Sequence, residues 1–306
     1  MKSWMICLLL FLTGSWARAQ QSSASVSVEE DWFSRSKDKI FANEEERSYE
    51  QNLSIFEEGH RRGYFYFLHP ALPRYEPYLK FPAFEGLAER DRQLYERALE
   101  QSSTSYHLEL PVKFDNESSY PLFIIFHGGN SNLQRLRKHW NEEDLDRDFI
   151  KVYLQSYRHF DSESFTWRSG DRRTDRDLFH IYSKILKNYL IDTSQVIVAG
   201  ISAGANYAIG MALRGVLPVD GILAICPGLP QVLRSGTSID SLCTDFTAYI
   251  VGGEHDFYLD FQHRLTEIFD TLEVAYRYRL VEGMGHQYPE NEVTFIKEGL
   301  RFIRND

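Results

Sequence analysis

The chain has little cysteine: Cys7, Cys226 and Cys243 are the three in 306 residues. So few exclude a scaffold held together by disulfides, and no Cys/His spacing reads as a zinc site. Positive charge is not in excess. The formal net charge is −10, which argues against nucleic acid or an anionic membrane surface as a partner. Long apolar runs are scarce, and the stretch Ile6 to Leu12 is too short for a stable membrane anchor. There is no strong internal repeat. Gly128-Gly129 lacks the Lys-Ser/Thr pair of a phosphate loop, and neither a nucleotide, a flavin nor a metal is suggested.

What is present is ordinary globular material. Hydrophobic residues make up 43% and charged ones 25%, enough for a sizeable core. Lys2, the apolar run and Ala17-Arg18-Ala19 together read as a signal peptide over 1–19, with the exported protein beginning at Gln20. Export permits a disulfide between Cys226 and Cys243. Two buried free thiols are the alternative, and the sequence leaves both open. Residues 20–28 read as a flexible leader.

Residues 20–103 are expected to form this leader and a small helical N-terminal extension, with helices over 43–50 and 87–100. From Ser105 the pattern changes. Strand-like runs begin at Tyr106, Leu122, Ile150, Gln195, Gly221, Phe246 and Tyr276, and helical stretches at Arg176, Ala203, Tyr258 and Glu292. Such alternation predicts an α/β domain over 104–306: a mostly parallel sheet with helices on both faces. The interval Ser156 to Thr174 has no period. It reads as a loop beside the site, and Trp167 in it offers an apolar surface for a substrate. Its arginines Arg168, Arg172 and Arg173 either neutralise an acidic substrate group or form a solvated face balanced by Asp171, Asp175 and Asp177.

Chemistry concentrates at four strand ends. Gly200-Ile201-Ser202-Ala203-Gly204 reads G-x-S-x-G between a strand and a helix. The small residues there allow a turn so tight that the serine hydroxyl stands exposed. His127-Gly128-Gly129-Asn130 follows the strand ending at Phe126, Gly252-Gly253-Glu254-His255-Asp256 follows another, and Gly283-Met284-Gly285-His286 a third. In this pattern and order the chain resembles the α/β-hydrolases. It is most similar to the secreted esterase branch of polyhydroxybutyrate-depolymerase-like, feruloyl-esterase-like and phospholipase/carboxylesterase-like enzymes. The resemblance covers roughly 105–306.

The resemblance implies an α/β-hydrolase fold and an acyl-enzyme mechanism on carboxylic esters, with a small-molecule or polymer-linked substrate and no cofactor. It implies Ser202 as nucleophile, His286 as base and Asp256 as the orienting acid. Glu254 and Asp260 are the rival acids. The backbone N–H groups of Gly129 and Ala203 are the expected oxyanion donors. Asn130 is an alternative donor and, with Trp167, a candidate substrate contact. His127 is expected to serve structure. A serine peptidase on the same fold and a catalytically silent binding protein are the alternatives.

Overall fold

The computed structural model describes residues 28–234 and 241–305. The expected signal peptide, Cys7 and almost all of the leader lie outside the described residues. The chain divides after Ile55 into two compact units.

In the first unit, α1 (Val28–Glu45) leads through a turn to the start of α2 (Tyr49–Arg61). Asn43 Nδ2 donates to Asn52 Oδ1 at 2.7 Å, and Asn52 Nδ2 to the Ile40 carbonyl at 3.1 Å. A helix over 43–50 was expected from sequence. Instead those residues span the end of α1, a turn and the start of α2. Arg47 takes the left-handed conformation, φ 58°, and no glycine or proline marks the turn.

The second unit begins with the rest of α2, a 3-10 turn (Pro73–Tyr78) and α3 (Ala83–Gln101). Asp91 of α3 is buried. It accepts the backbone N–H groups of Tyr66 and Leu68 at 2.7 and 2.8 Å and faces His60 Nε2 at 2.9 Å. A carboxylate at this depth is tolerable only with its lone pairs filled. Asp91→Ala strips three buried donors of their acceptor, so it is expected to destabilise by about 3–5 kcal/mol, read from a denaturant midpoint. This segment also braces the loop 156–171. The Ser162 hydroxyl exchanges hydrogen bonds with the Phe65 backbone, and Ser102 Oγ meets His159 Nε2 at 2.6 Å.

The sheet is built from β1 (Ser105–Glu109), β2 (Tyr120–Phe126), β3 (Ile150–Gln155), β4 (Ile191–Ile201), β5 (Gly221–Ile225), β6 (Thr247–Gly253) and β7 (Ala275–Val281). Their spatial order is β1-β3-β2-β4-β5-β6-β7. Only β1 runs antiparallel to its neighbour; every other pair is parallel. Alternation along β2 explains the two layers. Leu122, Ile124 and Phe126 pack with α6 (Arg172–Asn188), α7 (Ala203–Leu213) and α9 (Leu259–Thr271), while Phe123 and Ile125 point to the face covered by α10 (Glu292–Arg304). Short helices α4 (Leu133–Leu136), α5 (Glu143–Asp148) and α8 (Gln231–Arg234) complete the connections. The strand order reverses between β2, which feeds β3 on one side, and β4 on the other. In open α/β sheets the crevice at such a switch point receives ligands. The loops after β2 and β4 are the ones carrying Gly129 and Ser202.

Candidate active site

The turn after β4 has little freedom. A Cβ at Gly200 would meet the Gly204 carbonyl carbon and the Phe126 oxygen at 2.8 Å, and one at Gly204 would run into the carbonyls of Phe126 and His127. Glycine is required at both because the backbones of β2, β4 and α7 touch there. Ser202 between them has φ 54° and ψ −120°. α7 behind it is apolar on almost every side and buried accordingly, so the helix is an anchored support.

From this support the serine hydroxyl meets a histidine from the other side of the crevice. His286 Nε2 lies 2.8 Å from Ser202 Oγ, and His286 Nδ1 lies 2.8 Å from Asp256 Oδ1. With an ionised carboxylate on Nδ1, that nitrogen carries the proton, and Nε2 is left to accept from the serine. Asp256 is itself held. Its Oδ1 accepts the Tyr258 N–H and its Oδ2 accepts Gln262 Nε2, both at 2.8 Å. Gln262 in turn accepts from the Tyr278 hydroxyl at 2.9 Å. Burial pushes the Asp256 carboxyl upward, but the Tyr258 N–H, the Cys226 thiol and His286 outweigh it and hold it below the ordinary carboxylate range. A lowered folded-state value stabilises the fold above the unfolded carboxyl's range near pH 4 and is lost as pH falls further.

The rival acids sit elsewhere. Glu254 is exposed and accepts the Gly283 N–H at 2.9 Å; Asp260 is exposed on α9. His255 is exposed as well. His127 is fully buried, with Nε2 accepting the Ser156 N–H at 3.2 Å and Nδ1 donating to the Gly128 carbonyl at 2.6 Å. Burial lowers its pKa to about 4, so the ring is a neutral bracket between β2 and the loop after β3.

Gly129 is exposed in the turn after β2, and a Cβ placed there would lie 3.7 Å from that of Ala203. The two backbones therefore line the same rim. Ala203 opens α7, where its N–H has no acceptor within the helix. Asn130 also takes a left-handed conformation, φ 52°, but its side chain is engaged: Oδ1 accepts the Ser164 hydroxyl at 2.8 Å. It shapes the turn and ties it to the loop 156–171.

One expectation meets more burial than the sequence suggested, and one needs correction. Trp167, anticipated as a substrate platform, is only 6% exposed. Its ring packs against Phe126 and Tyr207 with centroids 5.2 Å away and against His127 at 5.0 Å. It nevertheless lines a cleft of about 640 Å³ together with Thr166, Ala203, Asn206 and Tyr258. Emptying that position is expected to cost about 3–5 kcal/mol, as for other large buried aromatics. A thermal or denaturant melt of Trp167→Ala checks this. The correction concerns the thiols, for which a disulfide was one of the two readings. Cys226 and Cys243 are both free, the first buried and the second exposed. Cys226 lies at the end of β5 with its sulfur 3.5 Å from the Gln287 carbonyl, facing the site and not the other cysteine. Burial first, and the neighbouring Asp256 next, push this thiol up to about 12, so it remains a protonated donor toward the carboxylate.

Several site residues escaped the sequence reading. Cys226 and Gln262 touch Asp256 only because β5, β6 and α9 converge there. A polar residue on the inward face of α9, beside Leu265 and Phe269, was the available signal for Gln262. Phe257 is another; it is 70% exposed with its ring 4.2 Å from that of His286. It forms an apolar rim at the mouth.

Strand order, the sharp turn at Ser202 and the crevice above β2 and β4 define an α/β-hydrolase fold. No protein-family model matches the chain, and no curated protein does. Among solved structures the chain is similar to an uncharacterized protein from Bacillus cereus ATCC 10987, with 23% identity over 84% of this chain and 82% of that one and a TM-score of 0.55. It is similar to the esterase PE8, with 18% identity over 66% and 99% and a TM-score of 0.54. It also resembles dipeptidyl peptidase 4 of Porphyromonas gingivalis, with 14% identity and a TM-score of 0.52, covering 66% of this chain but 33% of that one. At these identities the likeness is one of fold.

Proposed function

We propose that the chain is an exported serine hydrolase that cleaves carboxylic esters, of the secreted esterase kind its motifs resemble. One observation supports this most: the continuous hydrogen-bonded path from Ser202 Oγ through His286 to Asp256, beside the paired rim of Gly129 and Ala203. A serine hydroxyl is a poor nucleophile until a base takes its proton. His286 Nε2 removes that proton as Oγ attacks the ester carbonyl carbon. Asp256 holds the ring in the competent tautomer and stabilises the imidazolium. Negative charge collects on the carbonyl oxygen and meets the N–H groups of Ala203 and Gly129. The tetrahedral adduct collapses, and His286 returns the proton to the departing alcohol. Water, deprotonated by the same nitrogen, then releases the acyl group as an acid and restores Ser202. None of these steps calls for a metal or organic cofactor. Cys226, Asp256 and His286 do bring ligand atoms within 4.8 Å of one another, but hydrogen bonds within the serine–histidine path already occupy both imidazole nitrogens.

A peptidase is the second reading, because the same acyl chemistry serves amides and one similar structure is a dipeptidyl peptidase. A panel of chromogenic acyl esters run beside aminoacyl-anilides, with fluorophosphonate labelling in parallel, tests both. The ester reading expects labelling and a higher kcat/KM on the best ester than on any anilide. The reverse order makes the protein a peptidase, and no labelling makes it a binding protein. Export rests on Lys2, Ile6 to Leu12 and Ala17-Arg18-Ala19. N-terminal sequencing of the protein from cell fractions is expected to find Gln20 first, outside the cytoplasm.

A further inference from the structure

We propose that the substrate carries an anionic group far from the scissile ester, and that Arg168 and Arg172 receive it. This rests on the ester-hydrolase reading above. The cleft beside Ala203 does not end at Trp167. At Ser169 and Gln231 it meets a second cleft of about 700 Å³ whose walls carry Arg158, Arg168, Arg172 and Arg214. One face of α7 runs under both. Ala203 and Asn206 line the first, Gly210 touches Ser169, and Arg214 lines the second. At about 1.5 Å per residue the helix rises roughly 16 Å from Ala203 to Arg214. A ligand reaching from the serine to the arginines is therefore extended.

The charge is what makes this second cleft informative. One of the two sequence readings balanced the arginines of the loop with Asp171, Asp175 and Asp177. The structure spends those carboxylates on other partners. Asp171 takes the Tyr157 hydroxyl at 2.6 Å and Arg158 at 3.4 Å. Asp175 pairs with Arg214 at 2.7 Å and accepts the Tyr207 hydroxyl. Asp177 accepts from Thr104. Arg173 reaches the Ser102 carbonyl and stacks over Tyr157. Arg168 and Arg172 are left exposed with no ion pair among the described residues. The N-terminal end of the 17-residue helix α6 opens at the same place, where Asp171, itself in the cleft wall, caps it by accepting the Arg173 N–H at 3.0 Å. In a chain of net charge −10, two guanidinium groups with no ion pair among the described residues, at the end of a cleft that begins at the nucleophile, select an oxyanion. A carboxylate is the simplest fit, since each guanidinium offers it paired donors.

Matched ester pairs test this, each pair identical except that one member ends in a carboxylate and the other in a methyl group. One series carries the terminus on the acyl chain, another on the alcohol. The expected result is a ratio of kcat/KM, anionic over neutral, of about 10 to 100 in one series. The preference should appear mainly in KM, only at lengths that span the cleft, and should shrink with added salt. In the double variant Arg168→Gln/Arg172→Gln the ratio should fall to about one, while Arg168→Lys/Arg172→Lys retains part of it. A ratio near one in both series, or the same ratio in the wild type and the Gln variant, overturns the proposal. Calorimetric titration of a long linear dicarboxylate into Ser202→Ala, with and without the two Gln substitutions, separates this idea from the catalytic reading. Binding that needs the arginines, in a protein that turns over no ester, would leave the anion site standing and remove the esterase. Ester turnover with no such binding would do the opposite.

Discussion

Ser202→Ala is expected to abolish fluorophosphonate labelling and to lower kcat on the best ester by about 10⁶-fold, the loss seen when a serine nucleophile is removed from comparable machinery. The remaining rate would come from the rim of Gly129 and Ala203 and from binding, which act without the nucleophile. The fold should survive, since among the described residues Ser202 Oγ makes one hydrogen bond, to His286. The backbone conformation sharpens the test. Ser202 has φ 54°, a region a side chain enters at a cost of order 1–3 kcal/mol. Ser202→Gly removes the Cβ that suffers there. It should therefore be as inactive as the alanine variant yet melt at the same temperature or higher. Such a pairing, lost activity with undiminished stability, marks a strained position held for chemistry. Labelling that survives in either variant would dismiss Ser202 as nucleophile. A melting temperature that drops in the glycine variant would dismiss the strain.

How much of this was legible in sequence depended on how local each signal was. The β-rich run before Gly200 and the small residues around Ser202 act over a few positions, so the strand, turn and helix could be read directly. The same holds for the strands ending near Gly253 and Val281, which bring Asp256 and His286 to one edge. The support behind them was not legible. Gln262 meets Asp256 through the docking of α9, and Cys226 through the pairing of β5 with β6, and neither leaves a mark in a short window. The burial of Trp167 was not legible for a related reason. An aperiodic stretch looks exposed, whereas its neighbours Phe126 and Tyr207 come from β2 and α7 and close over the ring. The turn at Arg47 was missed because a left-handed arginine has no sequence signature. The arginine run left two readings open because the acids beside it in sequence satisfy partners elsewhere in space.

Asp256→Asn is expected to lower kcat by about 10⁴-fold, the loss seen when the acid of such a triad becomes an amide, while Glu254→Gln changes it little. The hydrogen bonds explain the size. Both oxygens of Asp256 are already accepting, from Tyr258 and His286 on one and from Gln262 on the other. An amide supplies one acceptor and one donor in the same space. If its nitrogen faces His286, the ring is pushed into the tautomer whose Nε2 bears the proton and cannot take one from Ser202. If its nitrogen faces Gln262 instead, two donors meet unless Gln262 turns over, and Tyr278 must then accept where it now donates. Either way the negative charge that stabilises the imidazolium is gone. Glu254 has no share in this, because its carboxylate is exposed and bound to the Gly283 N–H. The two orientations predict different partners for the variant. A double substitution, Asp256→Asn with Gln262→Glu, supplies an acceptor for the amide nitrogen and leaves its oxygen for His286. It should recover part of the lost kcat if the tautomer is the main fault, and none if the missing charge is. A large loss in Glu254→Gln, with Asp256→Asn near wild type, would transfer the acid's role to Glu254 and contradict the geometry at His286.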